Sequence, residues 1–296
     1  MKKNFGITFG VIIIFLTFFI KYDDLYLVDL VKTISKTHRI KADITDYKFF
    51  NNIDVPKSEN PQPWPIHESF NNIQPTEKLK SINEELGTVA FLIIKNDSIW
   101  YEKYNDNYGP KSYSNSFSMA KSIVSAVMGR AINEGYFSGL DDKVGNYISE
   151  YKKGLASNLT IGDLSSMSSG MLWDESYSDI FGVTARSYVS SELNTLIKSR
   201  PIIESPGKEF KYLSGNTQLL AMTIEKATNR EISDLVYHWF WNPMGAENNA
   251  LWQIDSKKNN TTKAYCCFNS NARDFARFGK LYKDSGNWKG HKILDS

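Results

Sequence analysis

The spacing of apolar positions sets out the elements of this chain. Val89 to Ile94 is a continuous β-prone run, Lys95-Asn96-Asp97-Ser98 supplies turn residues, and Ile99-Trp100-Tyr101 resumes an extended pattern. That sequence predicts a β-hairpin. Beyond it the period changes. Residues 118–136 carry apolar side chains on most sides of a helix, and residues 191–200 form a second helical stretch broken by Pro201. Leu219, Leu220, Met222, Ile224 and Ala227 lie on overlapping helical faces within 216–230. Phe275, Phe278, Leu281 and Tyr282 do so within 272–286, a helix expected to stop near Gly286. The pattern is a short β start followed by a helical middle. A single hairpin does not complete a sheet, so further strands are expected beyond Ser296, making the domain C-terminally incomplete.

Ahead of the hairpin the pattern has other meanings. Lys2 and Lys3 precede an uncharged, mostly apolar run from Phe5 to Ile20. No alanine occurs before Ala42 to make an A-x-A cleavage site, and no cysteine follows the run. Residues 1–24 therefore read as an uncleaved signal anchor or transmembrane segment, with the lysines in the cytoplasm and the rest exported. The expected location is the bacterial cell envelope, anchored in the membrane; the alternative is secretion after signal cleavage. Residues 25–72 are polar and then proline-rich (Pro56, Pro61, Pro63, Pro65), and read as a stalk and linker. The folded domain is assigned to 73–296.

Composition narrows the chemistry. In 296 residues the net charge is +2 and the basic residues are scattered, which argues against a nucleic-acid partner. His38, His67, His238 and His291 are far apart and fit no metal-binding spacing, so no metal is expected. His238 reads as a packed helix residue. Cys266 and Cys267 are adjacent, and free thiols are expected there.

Within the apolar helix at 118–136 stands one lysine, Lys121, three residues after Ser118. Positions i and i+3 share a helix face. An ammonium desolvated there loses protons more readily, and a neutral amine can take the proton of a serine hydroxyl. The same S-x-x-K spacing recurs at Ser149/Lys152 and Ser205/Lys208. The first of these is polar, and the second contains Pro206 and Gly207. Only Ser118/Lys121 opens a long apolar helix. Tyr212 lies in a loop just before another buried helix, from which its phenol either packs or points into a cleft.

Taken in order, "SFSMAKS", "LTIGDLSSMSSGM", "SPGKEFKYLSG", "FWNPMGAENNALW" and "CCFNSNARDFARFGKLY" resemble the serine β-lactamase and penicillin-binding-protein superfamily. The resemblance implies an α+β fold, with an antiparallel sheet flanked by helices plus an all-helical subdomain. It also implies acyl transfer through Ser118, with Lys121 and Tyr212 moving protons. Where β-lactamases and D,D-peptidases of this kind have Tyr-x-Asn, this chain has Tyr212-Leu213-Ser214, with Asn216 two positions too late. Tyr-x-Ser is similar to the branch containing 6-aminohexanoate-dimer hydrolase and related esterases. "SSGMLWDESYSD" resembles that branch's loop bearing an extra tyrosine, here Tyr177. Tyr177 and Ser214 thus become candidate substrate-binding residues. The third family motif is not found in these residues. Three functions stay open: an ester or amide hydrolase, a D,D-peptidase or β-lactamase acting on cell-wall peptides or β-lactams, and a non-catalytic peptidoglycan- or partner-binding protein.

Overall fold

The computed structural model describes residues 25–295. Its helices are α1 (Leu25–Thr37), α2 (Glu77–Glu85), α3 (Ala120–Asn133), α4 (Ile161–Ser165), α5 (Val183–Val189), α6 (Leu193–Lys198), α7 (Ser214–Thr228), α8 (Ile232–Val236) and α9 (Ala272–Lys283). Its strands are β1 (Asn52–Val55), β2 (Ala90–Lys95), β3 (Ser98–Tyr104), β4 (Ser114–Asn115), β5 (Ala250–Gln253), β6 (Phe268–Ser270), β7 (Asn287–Trp288) and β8 (His291–Lys292). The signal-anchor stretch, 1–24, lies outside the described residues. Among those described, no helix is long and apolar enough to cross a membrane.

The hairpin forms as its turn residues require. Asn96 and Asp97 both adopt positive φ, 48° and 59°, the geometry that matches the twist of two paired strands. β2 and β3 pair antiparallel, with a register shift at Ile93/Ile94. A second sheet accompanies the hairpin, and the apolar pattern did not reveal it. Its strand order is β1-β5-β6-β4 and every pairing is antiparallel. The strands are two to four residues long, too short for an alternating pattern to register.

The stretch read as stalk and linker is therefore corrected: it is part of the fold. β1 pairs along its length with β5. The proline-rich run is extended, as expected, but it is strapped to the body. Gln62 N–H donates to the Gly245 carbonyl at 2.8 Å, and the indole of Trp64 is buried and donates to the Arg273 carbonyl at 2.8 Å. Arg277, itself buried, ties this strap down through the Gln62 carbonyl (2.8 Å), the Met244 carbonyl (2.9 Å) and the carboxylates of Asp274 (2.8 Å) and Glu247 (2.9 Å). Upstream, Asp29 accepts from the Ser191 N–H, and Asp46 accepts from the hydroxyl of Tyr188 in α5. Several polar groups of this stretch are thus engaged in tertiary bonds.

The core forms where α3 and α7 pack together. Ile123, Val124, Val127 and Ala131 of α3 and Leu219, Leu220, Ala221 and Ile224 of α7 are buried. Trp241 and Trp252 meet Phe268 edge-on, with centroids 5.3 and 5.1 Å away, and so fasten the short-stranded sheet to the helices. His238, expected to be packed, is exposed and bonds to Asp234 one turn earlier. The architecture is α+β, with an antiparallel sheet and flanking helices.

Candidate active site

Ser118 sits where the short-stranded sheet hands over to α3. β4 ends at Asn115, whose side-chain oxygen accepts the Phe117 N–H at 2.9 Å, and Ser116 N–H donates to the Phe268 carbonyl of β6. Phe117 then turns the chain with φ of +43°, in the left-handed region that a bulky residue seldom occupies. A tight turn over Phe117–Met119 leads directly into α3. Backbone strain of this kind persists only where the surroundings enforce it, and it is concentrated at functional positions. Here it lifts the serine to the mouth of the helix.

The apolar helix delivers Lys121 beside that serine. Its Nζ lies 3.0 Å from Ser118 Oγ and 2.9 Å from the Tyr265 carbonyl. It also lies over two aromatic faces, 5.0 Å from the Tyr212 ring centroid and 5.7 Å from that of Tyr265. Burial holds the Lys121 ammonium below the ordinary lysine range, and Tyr212 and the Glu175 carboxylate oppose that shift in part.

Tyr212, 40% exposed, precedes α7 and presents its ring to the Lys121 amine. Tyr177 comes from the loop between α4 and α5 and is exposed along its ring; its hydroxyl donates to Glu175 Oε1 at 2.8 Å. Desolvation of that hydroxyl, together with Glu175, raises its pKa well above the phenol range, and neighbouring Ser118 pulls the other way. Ser118, Lys121, Tyr212 and Tyr177 thus converge. Ser214 does not open onto the cleft: it is buried, and its hydroxyl is engaged by Glu175 Oε1 at 2.5 Å. Asn216 lies behind the site, fully buried, accepting from Ser169 Oγ at 2.5 Å.

Two participants were missed in the sequence. Tyr265 contributes a backbone carbonyl, which no side-chain pattern announces. Glu175, within "LWDESYSD", could have been noticed only as an acid two positions before the tyrosine. The cysteines beside Tyr265 correct another expectation: Cys266 and Cys267 are joined to each other as a disulfide, not held as free thiols. Both are buried. Among the described residues no cluster of metal-ligating side chains occurs.

The arrangement can activate a hydroxyl nucleophile next to two phenols able to move protons. Comparisons with known proteins place the chain in a family. The sequence profile described as Beta-lactamase matches residues 76–295. The 6-aminohexanoate-dimer hydrolase of Paenarthrobacter ureafaciens is 24% identical over 221 residues, covering 71% of this chain and 56% of the relative. The chain therefore spans little more than half the length of that curated relative. A Bacillus anthracis protein assigned as a 6-aminohexanoate-dimer hydrolase superposes with a TM-score of 0.75 at 23% identity, over 92% of this chain and 73% of its own. A penicillin-binding-protein homologue from Pyrococcus abyssi, described as octameric, superposes at 0.59 with 19% identity, over 74% of this chain and 57% of its own.

Proposed function

The chain belongs to the beta-lactamase family, and from that premise we propose that it is a serine hydrolase cleaving an ester or amide through an acyl-enzyme on Ser118. The observation that carries this reading is the 3.0 Å approach of a desolvated Lys121 to Ser118 Oγ. Lys121, neutral, takes the hydroxyl proton as Ser118 attacks the carbonyl carbon. The backbone N–H of Ser118 is one donor to the developing oxyanion. Tyr212, stacked over Lys121, relays that proton to the leaving group. Collapse of the tetrahedral intermediate breaks the C–O or C–N bond and leaves the acyl group on Ser118. A water molecule, deprotonated through the same pair, then releases the acid.

Linear amides and esters fit this site better than β-lactams. Tyr177 neighbours Ser118, and its hydroxyl, bonded to Glu175, can turn to an amide nitrogen and hold it as that nitrogen takes the proton relayed by Tyr212. The names of the hydrolase relatives point the same way. Export is part of the proposal. Lys2, Lys3 and the run Phe5–Ile20 support it, as does the Cys266–Cys267 disulfide, since such bonds persist in oxidising compartments. No metal or organic cofactor takes part in these steps.

The test is covalent labelling. A fluorophosphonate probe should modify Ser118, as mapped by mass spectrometry, and Ser118→Ala should abolish both labelling and p-nitrophenyl butyrate turnover. Labelling at another residue, or an active Ser118→Ala, would overturn the assignment. Nitrocefin should be hydrolysed more slowly than the ester; the reverse order would favour a β-lactamase.

A further inference from the structure

Glu175 has no part in the steps above, yet it touches the elements that carry both phenols. Its Oε2 accepts the Ser214 N–H at 2.6 Å, its Oε1 accepts the Ser214 hydroxyl at 2.5 Å, and the same Oε1 accepts the Tyr177 hydroxyl at 2.8 Å. Ser214 is the first residue of α7, and Leu213 at its N-cap offers no side-chain acceptor. Helices leave their first N–H groups without intrahelical partners, and a carboxylate there also meets the positive end of the helix dipole. Glu175 therefore caps α7 from 39 residues away in sequence. Tyr212 lies two residues before the capped position, and Tyr177 two residues after Glu175 itself.

The surroundings are shaped for this reach. The loop bearing Glu175 is bolted by Trp173, whose indole donates to Thr184 Oγ1 at 3.0 Å, and Thr184 Oγ1 donates to the Asp174 carbonyl at 2.6 Å. Gly215, next to Ser214, lets that loop lie against α7. A Cβ there would stand 2.6 Å from the Trp173 ring and 2.7 Å from Met171 Sδ.

Resting on the serine-hydrolase reading, we infer that Glu175 is the positioning residue of this site: one carboxylate that holds the Tyr177 hydroxyl directly and, by capping α7 at Ser214, holds the segment bearing Tyr212. Two consequences follow from its charge and its geometry. Without the clamp, Tyr177 and Tyr212 lose their common anchor, and misplacing proton donors lowers turnover more than binding. Without the negative charge, the groups facing Lys121 reduce to the rings of Tyr212 and Tyr265, the Tyr265 carbonyl and the Ser118 hydroxyl. Lys121 then gives up its proton more easily, since Glu175 is among the groups favouring its charged form.

The experiment compares wild type with Glu175→Gln and Glu175→Asp, each normalised to the fraction of Ser118 labelled by the probe. In Glu175→Gln, kcat for a linear amide should fall at least about 10-fold with KM changed by less than about 3-fold. The acid-side midpoint of its kcat/KM profile should move to lower pH. Glu175→Asp, which keeps the charge, should hold the wild-type midpoint. A carboxylate acting only as a structural cap would lower the melting temperature while leaving turnover per labelled site and the midpoint unchanged, and that result overturns the inference. The clamp has a readout independent of activity. The ultraviolet difference titration of wild type against Tyr177→Phe isolates the Tyr177 phenol, which should titrate at lower pH in the Glu175→Gln background. An unmoved phenol refutes the clamp. Failure of Ser118 to label in the wild type instead refutes the hydrolase reading, and the phenol titration still decides the clamp.

Discussion

To act as the base proposed for it, Lys121 has to give up its own proton more readily than an ordinary lysine and stand beside Ser118 when neutral. Its stem runs within the apolar helix and its amine meets two aromatic faces, one carbonyl and the hydroxyl it serves. Burial lowers its pKa, so activity should rise with pH through a midpoint below the ordinary lysine value of roughly 10.4. Lys121→Arg separates charge from basicity. The guanidinium keeps the positive charge but does not deprotonate in proteins. Acylation of Ser118 by the fluorophosphonate probe should therefore slow by about 1,000-fold or more, because nucleophile and base act as a unit. A loss of less than about 10-fold would mean that Lys121 acts as a positive charge and not as a base.

At the scale of elements, the contact between α7 and the Trp173 loop is the most sensitive joint. α7 is buried along most of its length, so it cannot shift to accommodate an intruding atom. Gly215→Ala would place a methyl against Trp173 and Met171 at distances no packed structure sustains. Overpacking of a well-filled contact typically costs about 1–3 kcal/mol. Thermal or urea denaturation of Gly215→Ala should show a loss in that range, and the amide kcat should fall with it as Glu175 is pushed away from Ser214. A variant with unchanged stability and turnover would show that the loop is not pressed against the helix.

Across the whole molecule, the segment before residue 73 is held by polar groups buried under it. Lys263 is fully buried, its amine bonded to the Tyr188 carbonyl and lying 4.6 Å from the centroid of the Phe50 ring. Burial brings its pKa down to about 7. In the unfolded chain a lysine titrates near about 10.4, so between those values the unfolded state binds the extra proton. The sign is that Lys263 opposes folding most at and below pH 7, by roughly 5 kcal/mol, and that this burden is relieved as pH rises toward 10. Lys263→Met should raise the melting temperature at pH 6, and the gain should shrink by pH 10. A gain independent of pH would mean that the lysine stays charged in the folded protein.

Much of this protein could be read from one dimension, and the reason is range. α3, α7 and α9 are long enough for a 3.6-residue period to stand out, and the hairpin turns through Asn96-Asp97 within its own span. Ser118 and Lys121 belong to the same class, because a spacing of three on one helix is a local fact. The sheet β1-β5-β6-β4 is not of that class. Asn52 finds Gln253, and Ser114 finds Ser270, through strands too short to show a period. The polar, proline-rich stretch before residue 73 looked detached because its partners, among them Gly245, Arg273 and Arg277, lie far along the chain. The same holds inside the site: the Tyr265 carbonyl reaches Lys121 from 144 residues away, and Glu175 reaches Ser214 from 39. The sequence by itself determined that Ser118 and Lys121 share the face of one apolar helix. Only the tertiary structure decided what desolvates that amine, which carboxylate joins Ser214 to the Tyr177 hydroxyl, and where Ser214 points, because those depend on contacts made after distant segments have packed.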